Sequence, residues 1–162
     1  MNRFQNKTVL SKKDITEINI HNYFKTPLYI VLYIVCILSI VSRLADYFIN
    51  NIVNLSATIP FLLALVAMLL VFVSNNRNMQ NQSVDDNGQP IEYEYLAEDG
   101  VLKIKTSDGR ASELEYKMIY KYFETKNCFG IRGRDNSFYI IKKDGFIEGT
   151  AEEFSMLLKK CK

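Results

Sequence analysis

Four basic residues have the spacing of an anion-binding surface. Lys103 and Lys105 alternate with apolar residues in VLKIKT, and Arg132 and Arg134 do so in and just after CFGIRG. Side chains alternate between the two faces of a β-strand, so each pair is predicted to lie on the outer face of its strand. If the two faces adjoin near a bilayer, anionic phospholipid headgroups or an acidic patch of a partner protein can bind there, with each basic residue contributing about 1 kcal/mol.

A solvated sheet face fits the same four residues. Their charge would be balanced by glutamates on the predicted strands, namely Glu113, Glu115 and Glu124. From Asn75 onward, charges of both signs are mixed and nearly balanced. A nucleic-acid partner is therefore not expected, and the residues alone leave the binding surface and the solvated face both open.

No residues have the spacing of a catalytic or metal-binding set. The single histidine, His21, is distant from the second half of the chain, and no G-x-S-x-G segment occurs. Cys36, Cys128 and Cys161 lie far apart without a C-x-x-C pair, which argues against zinc and against a disulfide framework. We therefore expect no enzyme activity and no cofactor.

Two long apolar segments occupy much of the first half of the chain. They are residues 27–48, which include PLYIVLYIVCILSIV, and residues 55–75, which include IPFLLALVAMLLVFV. About 20 apolar residues suffice to cross the hydrocarbon core of a bilayer, and a helix that is apolar all round must be surrounded by apolar material. The remaining polar chain is too short to surround two such helices. The sequence predicts a transmembrane helical hairpin.

The distribution of basic residues predicts the orientation of this hairpin. Five basic residues precede it, many follow it from Arg77 onward, and only Arg43 lies near the connecting loop, Asp46–Asn54. By the positive-inside rule, both termini are cytoplasmic and the chain crosses the membrane twice. The spans carry few polar residues, so anchoring is favoured over transport.

The remaining segments predict a strand and helix before the hairpin and a small module after it. Residues 1–26 combine an alternating strand with an amphipathic helix that starts at a capping box formed by Ser11 and Asp14. Residues 76–90 are read as a polar linker. Residues 91–162 contain turn signals between about six short alternating runs, followed by a helix capped by Thr150 and Glu153. The predicted fold class is α+β, with an antiparallel sheet or barrel capped by the C-terminal helix.

The order of these elements resembles the bacterial YcxB-like family. The resemblance lies in the L-S-K-K-D entry, the two apolar segments, the strand meander, and FYIIKKDGF followed by EEFSMLLKK. It implies a C-terminal domain with a pleckstrin-homology-like (PH-like) barrel. The chain departs from the family pattern at Tyr116, where a tryptophan is common, and at Lys142, where a proline is common. The family supplies no catalytic residues to transfer.

Three functions remain compatible with the sequence. The leading hypothesis is a bacterial integral membrane protein whose cytoplasmic PH-like module serves binding, scaffolding or regulation. The alternatives are recognition of anionic phospholipid by the basic strand faces, and an accessory role in an oligomeric transporter with another membrane protein as partner. The lipid bilayer is the one partner that all three share.

Overall fold

The computed structural model describes residues 3–50 and 59–161. Residues 51–54 of the predicted outer loop and residues 55–58 of the second predicted span lie outside the described residues. The chain divides into two units. The sheet unit joins the chain up to Ile18 with the chain from Met79 onward, and the helical unit is Asn19–Asn78.

The two apolar segments form long helices. Helix α2 is Pro27–Asn50 and α3 is Ile59–Gln82. Both are long and apolar enough to cross a membrane, and only 6% of the apolar window of each is buried inside the structure. The prediction of two such helices is confirmed.

Helix α3 continues into the predicted linker. It ends at Gln82 and not near residue 75, because Met79 packs against apolar residues of the sheet unit and burial of one helix face stabilises a polar helix end. The rest of the predicted linker is an ordered turn, in which Asp85 Oδ1 accepts hydrogen bonds from the main-chain N–H groups of Asn87 (2.9 Å) and Gln89 (2.7 Å). The first half of the segment predicted as a linker, residues 76–90, is therefore helical.

The six strands predicted for residues 91–162 are present, the strand predicted before the hairpin is β1, and β8 is an additional strand. Alternation and turn residues locate the six correctly. The eight strands are β1 Phe4–Val9, β2 Glu92–Glu98, β3 Val101–Thr106, β4 Ala111–Glu115, β5 Ile119–Glu124, β6 Cys128–Gly133, β7 Phe138–Lys142 and β8 Phe146–Glu148.

The strands form two antiparallel sheets, so the predicted barrel is wrong in the closed form. One sheet has the order β4-β3-β2-β1-β8 and the other β5-β6-β7. A short 3-10 turn, Tyr116–Met118, redirects the chain between β4 and β5. Strand β1 pairs with β2 along one edge and with β8 along the other. Its main-chain groups are therefore paired on both sides, and β1 does not also pair with β7 to close a barrel.

Hydrogen bonds from side chains of β1, and not a main-chain ladder, connect β1 to β7. Asn6 Nδ2 donates to the carbonyl of Lys142 (2.8 Å), and the N–H of Lys142 donates to Thr8 Oγ1 (3.0 Å). The Thr8 hydroxyl in turn donates to Asn6 Oδ1 (2.7 Å). These polar groups are buried and need partners, and the three bonds supply them.

One apolar core lies between the sheets and the C-terminal helix. Helix α4, Ala151–Lys160, contributes Phe154, whose ring centroid lies 5.4–5.6 Å from those of Phe4, Phe129 and Phe146. The predicted capping box of Thr150 and Glu153 is present at its start. The predicted cap of the sheet by a C-terminal helix is therefore confirmed.

Helix α1, Lys12–Phe24, begins on the opposite surface of the three-stranded sheet. Its predicted capping box is present. The main-chain N–H and the hydroxyl of Ser11 donate to Asp14 Oδ2, and the main-chain N–H of Asp14 donates to Ser11 Oγ. Ile18 is buried against Cys128 and Ile140. Glu17 accepts two hydrogen bonds from Asn127, one from the main chain (3.1 Å) and one from the side chain (2.7 Å).

Candidate functional site

Lys103 and Lys105 lie on the outer face of the five-stranded sheet. Leu102 and Ile104, with which they alternate, are buried in the core, so the predicted facing of β3 is confirmed. Lys103 lies between Leu96 of β2 and Glu113 of β4 in the register of the sheet. Lys103 Nζ forms an ion pair with Glu98 (3.2 Å).

Acidic residues balance the basic ones across this outer face. Lys7 of β1 lies opposite Glu94 of β2, and its Nζ forms ion pairs with Glu94 (2.8 Å) and Glu92 (3.1 Å). Lys105 lies opposite Glu94 on the other side. Hydrogen bonds from Lys7 lower the pKa of Glu94. A face with this alternation of charge offers little net attraction to an anionic surface.

Arg132 and Arg134 belong to the other sheet. Arg132 is exposed on the outer face of β6, with its guanidinium 5.8 Å from the ring centroid of Phe138. Arg134 follows β6, and its N–H donates to the carbonyl of Met118 (2.9 Å). The two outer faces lie on opposite sides of the shared core, so the structure does not bring the two predicted pairs together.

The structure places Lys121 beside Arg132, a neighbour that the alternation of β5 does not predict. Lys121 of β5 is the register partner of Arg132 in β6, and an irregularity in β5 falls between Ile119 and Lys121. Tyr120 is the extra residue and is 66% exposed. An added residue in one strand changes the alternation beyond it, so the facing of Lys121 required knowledge of the bulge.

A groove of about 350 Å³ opens between β4 and β7. Its polar lining includes the hydroxyl groups of Tyr93, Ser112 and Tyr139, and Ser112 Oγ lies 3.3 Å from Tyr139 Oη. Burial raises the pKa of Tyr93. The charged lining residue, Arg110, is neutralised by Asp108, whose Oδ2 lies 2.7 Å from Arg110 Nε. The groove therefore presents hydroxyl groups and ring faces with compensated charge.

A second hollow, of about 360 Å³, adjoins Arg110 and is lined by Asp85, Asp86 and Asp108. The hydrogen bond from Arg110 holds the pKa of Asp108 well below its usual range. Asp85 caps its own turn, as described above. No group of three or more side chains able to hold a metal ion occurs in the described parts of the chain.

The buried thiol of Cys128 has no features of a nucleophile. It is fully buried beneath Ile18, and burial raises its pKa to about 12. A reactive cysteine needs a lowered pKa and access to solvent. Cys128 is an apolar core residue.

These features define a class of protein: an α+β module of two antiparallel sheets and a capping helix, carried on a chain with two long apolar helices. Residues 96–158, from β2 into α4, match the model of the YcxB-like protein family. The resemblance predicted from the sequence is confirmed over this segment, which excludes β1 and the first three helices. No curated protein and no solved structure matches the chain.

Proposed function

We propose that this chain is a bacterial inner-membrane protein whose sheet unit is a cytoplasmic PH-like module for binding, scaffolding or regulation and not for catalysis. The observation that carries the proposal is the exposure of the apolar helices. Large side chains face outward along the apolar runs of α2 and α3, for example Leu38 (62% exposed), Leu63 (62%) and Leu70 (64%). Each such side chain left in water forgoes about 1.5–3 kcal/mol of burial, and lipid removes that cost.

Aromatic residues support the same placement. Near the start of α2, Tyr23 stacks on Tyr29 with centroids 4.2 Å apart and contacts Phe72 of α3 edge-on at 5.4 Å. The Tyr23 hydroxyl donates to the carbonyl of Met68 (3.1 Å). Tyrosine is enriched at the membrane–water interface because it combines an apolar ring with a polar tip.

Anchoring is favoured over transport because the apolar runs of α2 and α3 contain few polar groups. Ser39 Oγ donates to the carbonyl of Val35 in its own helix (2.8 Å) and forms no polar path. Arg43 and Asp46 lie 4.0 Å apart near the end of α2, as in an interfacial ion pair. An accessory role in an oligomeric transporter is the second candidate, and crosslinking in native membranes that yields only monomers would argue against it.

Thiol labelling in intact cells tests the proposed placement. Lys126 is exposed in the β5–β6 turn, so the variant Lys126→Cys, made together with Cys161→Ser, presents a reactive thiol on the sheet unit. Buried Cys128 with its raised pKa should not react. We expect no labelling of intact cells by a membrane-impermeant reagent and labelling after lysis. Equal labelling in both states would place the sheet unit outside the cytoplasm.

A further inference from the structure

We propose that the outer face of the three-stranded sheet binds anionic phospholipid headgroups through Lys121 and Arg132, hereafter the Lys121–Arg132 pair. The proposal rests on the proposed function, because it requires the chain to be held at a bilayer. It names the partner of the module and locates the contact at one of the four residues that spacing predicts, Arg132, together with Lys121, which spacing does not predict.

The first observation is an uncompensated pair of like charges. Lys121 and Arg132 are directly opposite each other on β5 and β6 and point to the same face. Like charges in this position destabilise a sheet. Neither side chain forms an ion pair with a carboxylate of the described residues, whereas Lys103, Lys142 and Lys143 each do. A phosphate bound between the two cations would turn a repulsive arrangement into an attractive one.

The second observation is the aromatic surrounding of the pair. Arg132 lies over the ring of Phe138, and Tyr120 projects from the bulge beside Lys121. A tyrosine with its ring in the headgroup region and its hydroxyl in water is stable at a membrane surface. Basic side chains beside such a ring are suited to phosphate groups at the same depth.

The third observation is the route of the chain. Ile18, where the chain leaves the sheet unit, and Met79, where it returns, both belong to the cluster on this same outer face, with Cys128 and Ile140. Met79 comes six residues after Val73, the last residue of the apolar run. Six residues span at most about 20 Å even when fully extended. The sheet face that includes Met79 is therefore joined to the apolar run of α3 by only a short segment of chain.

The other outer face lacks all three features. Lys103 and Lys105 lie among glutamates, and Lys103 is already paired with Glu98. They supply a matched control, because reversing both changes the net charge by the same amount as reversing the Lys121–Arg132 pair.

A single tryptophan can report the contact, since the chain contains none. The variant Tyr120→Trp places it in the bulge, and the full chain is reconstituted in nanodiscs of phosphatidylcholine alone or of phosphatidylcholine mixed with phosphatidylglycerol. We expect emission at shorter wavelength and weaker quenching by neutral acrylamide in the anionic discs. High salt should reverse both effects, because it screens exposed charges.

Charge reversal identifies the residues responsible. In the Tyr120→Trp background, the double change Lys121→Glu and Arg132→Glu should abolish the spectral shift, and Lys103→Glu with Lys105→Glu should leave it intact. Each single reversal in the pair should weaken the apparent affinity for anionic lipid by at least about fivefold, because loss of one positive charge alone accounts for that factor. A shift that survives reversal of the pair, or that is lost in the control instead, overturns the proposal.

Two further measurements keep a negative result interpretable. Neutralisation by Lys121→Gln and Arg132→Gln should abolish the shift without introducing acidic residues, and it should raise the thermal midpoint in neutral discs because the repulsion is relieved. Inorganic phosphate added to protein in neutral discs should leave the emission unchanged; a shift with phosphate would assign the pair to a soluble anion and contradict the lipid contact.

The same experiment separates failure of this inference from failure of the proposed function. A chain that does not elute with the nanodiscs is not a membrane protein, and both then fail. A chain that elutes with the discs but whose tryptophan emission is the same in neutral and anionic lipid remains membrane-anchored, and only the lipid contact of the Lys121–Arg132 pair is refuted.

Discussion

Thr8 and Asn6 connect two sheets that share no backbone ladder. Thr8 is fully buried, and its hydroxyl both accepts from the N–H of Lys142 and donates to Asn6 Oδ1. Neither residue is recognisable from sequence as a structural contact, because its partner lies more than 130 positions away in the chain. The contact of these two residues with Lys142 is visible only in the folded structure.

Replacement of Thr8 by valine should be strongly destabilising. Valine has nearly the same shape but leaves a buried N–H and a buried amide oxygen without partners, at a cost of about 2–3 kcal/mol. Thr8→Ser keeps the hydroxyl and loses one methyl group, at a cost of about 1 kcal/mol. Chemical denaturation of both variants checks the order; a valine variant more stable than the serine variant would show that packing, and not hydrogen bonding, matters at this position.

Glu17 should make the stability of the sheet unit depend on pH. Burial acts to raise its pKa, but the hydrogen bonds from Thr125 and Asn127 together outweigh burial and lower it. A carboxyl group whose pKa is lower in the folded state stabilises the fold above its unfolded pKa and loses that contribution as the pH falls through the folded value.

The variant Glu17→Gln should therefore be less stable than the natural chain at neutral pH, by about 1 kcal/mol. The difference should shrink as the pH falls below the ordinary value of 4.5. Thermal unfolding at a series of pH values measures this, with Glu113→Gln, on an exposed strand position, as the control. A difference that stays constant from neutral to acidic pH would refute the role of the charge.

At the scale of elements, local sequence signals predicted the positions of most strands. They did not predict features that depend on packing between residues far apart in the chain. Turn residues and alternation predicted β2–β7, and the capping boxes predicted the starts of α1 and α4. The alternation of β5 is broken by the bulge at Tyr120, so Lys121 could not be assigned to the face of Arg132 in advance. The end of α3 was missed because its last turns are polar and are held by the packing of Met79.

Strand β1 illustrates the same limit for pairing. Its alternation is visible in sequence, but its position between β2 and β8, across some 80 to 140 residues, is not. The segment that matches the family begins at residue 96 and leaves this strand out. The sheet unit needs β1 all the same, because without it β2 loses one of its two neighbours and Lys142 loses the side chains of Asn6 and Thr8.

The sheet unit should fold without the apolar helices if β1 is kept. Ile18 and Met79 pack on one cluster, so a linker of about eight Gly and Ser residues, with a reach of about 15 Å, can replace residues 19–78. We expect this shortened chain to be soluble and to unfold cooperatively. A fragment that starts at Met79 should lack cooperative unfolding, because it has no β1. Equal stability of the two proteins, measured by circular dichroism during heating, would contradict the role assigned to β1.

At the scale of the whole molecule, averages over the composition hide the uneven distribution of apolar residues along the chain. Net charge and overall hydropathy are those of a soluble protein, yet the apolar residues are concentrated in two helices whose side chains face outward. The sequence predicts these helices because their apolar runs are continuous. The division of the sheet unit between both ends of the chain depends on long-range contacts and emerges only in the fold.

Extraction of membranes at alkaline pH tests the central claim that lipid surrounds α2 and α3. We expect the full chain to stay in the sedimented membranes through carbonate treatment and to be released only by detergent, whereas the shortened chain with residues 19–78 replaced stays in the supernatant. Recovery of the full chain as a monomer in the detergent-free supernatant would show that lipid does not surround these helices.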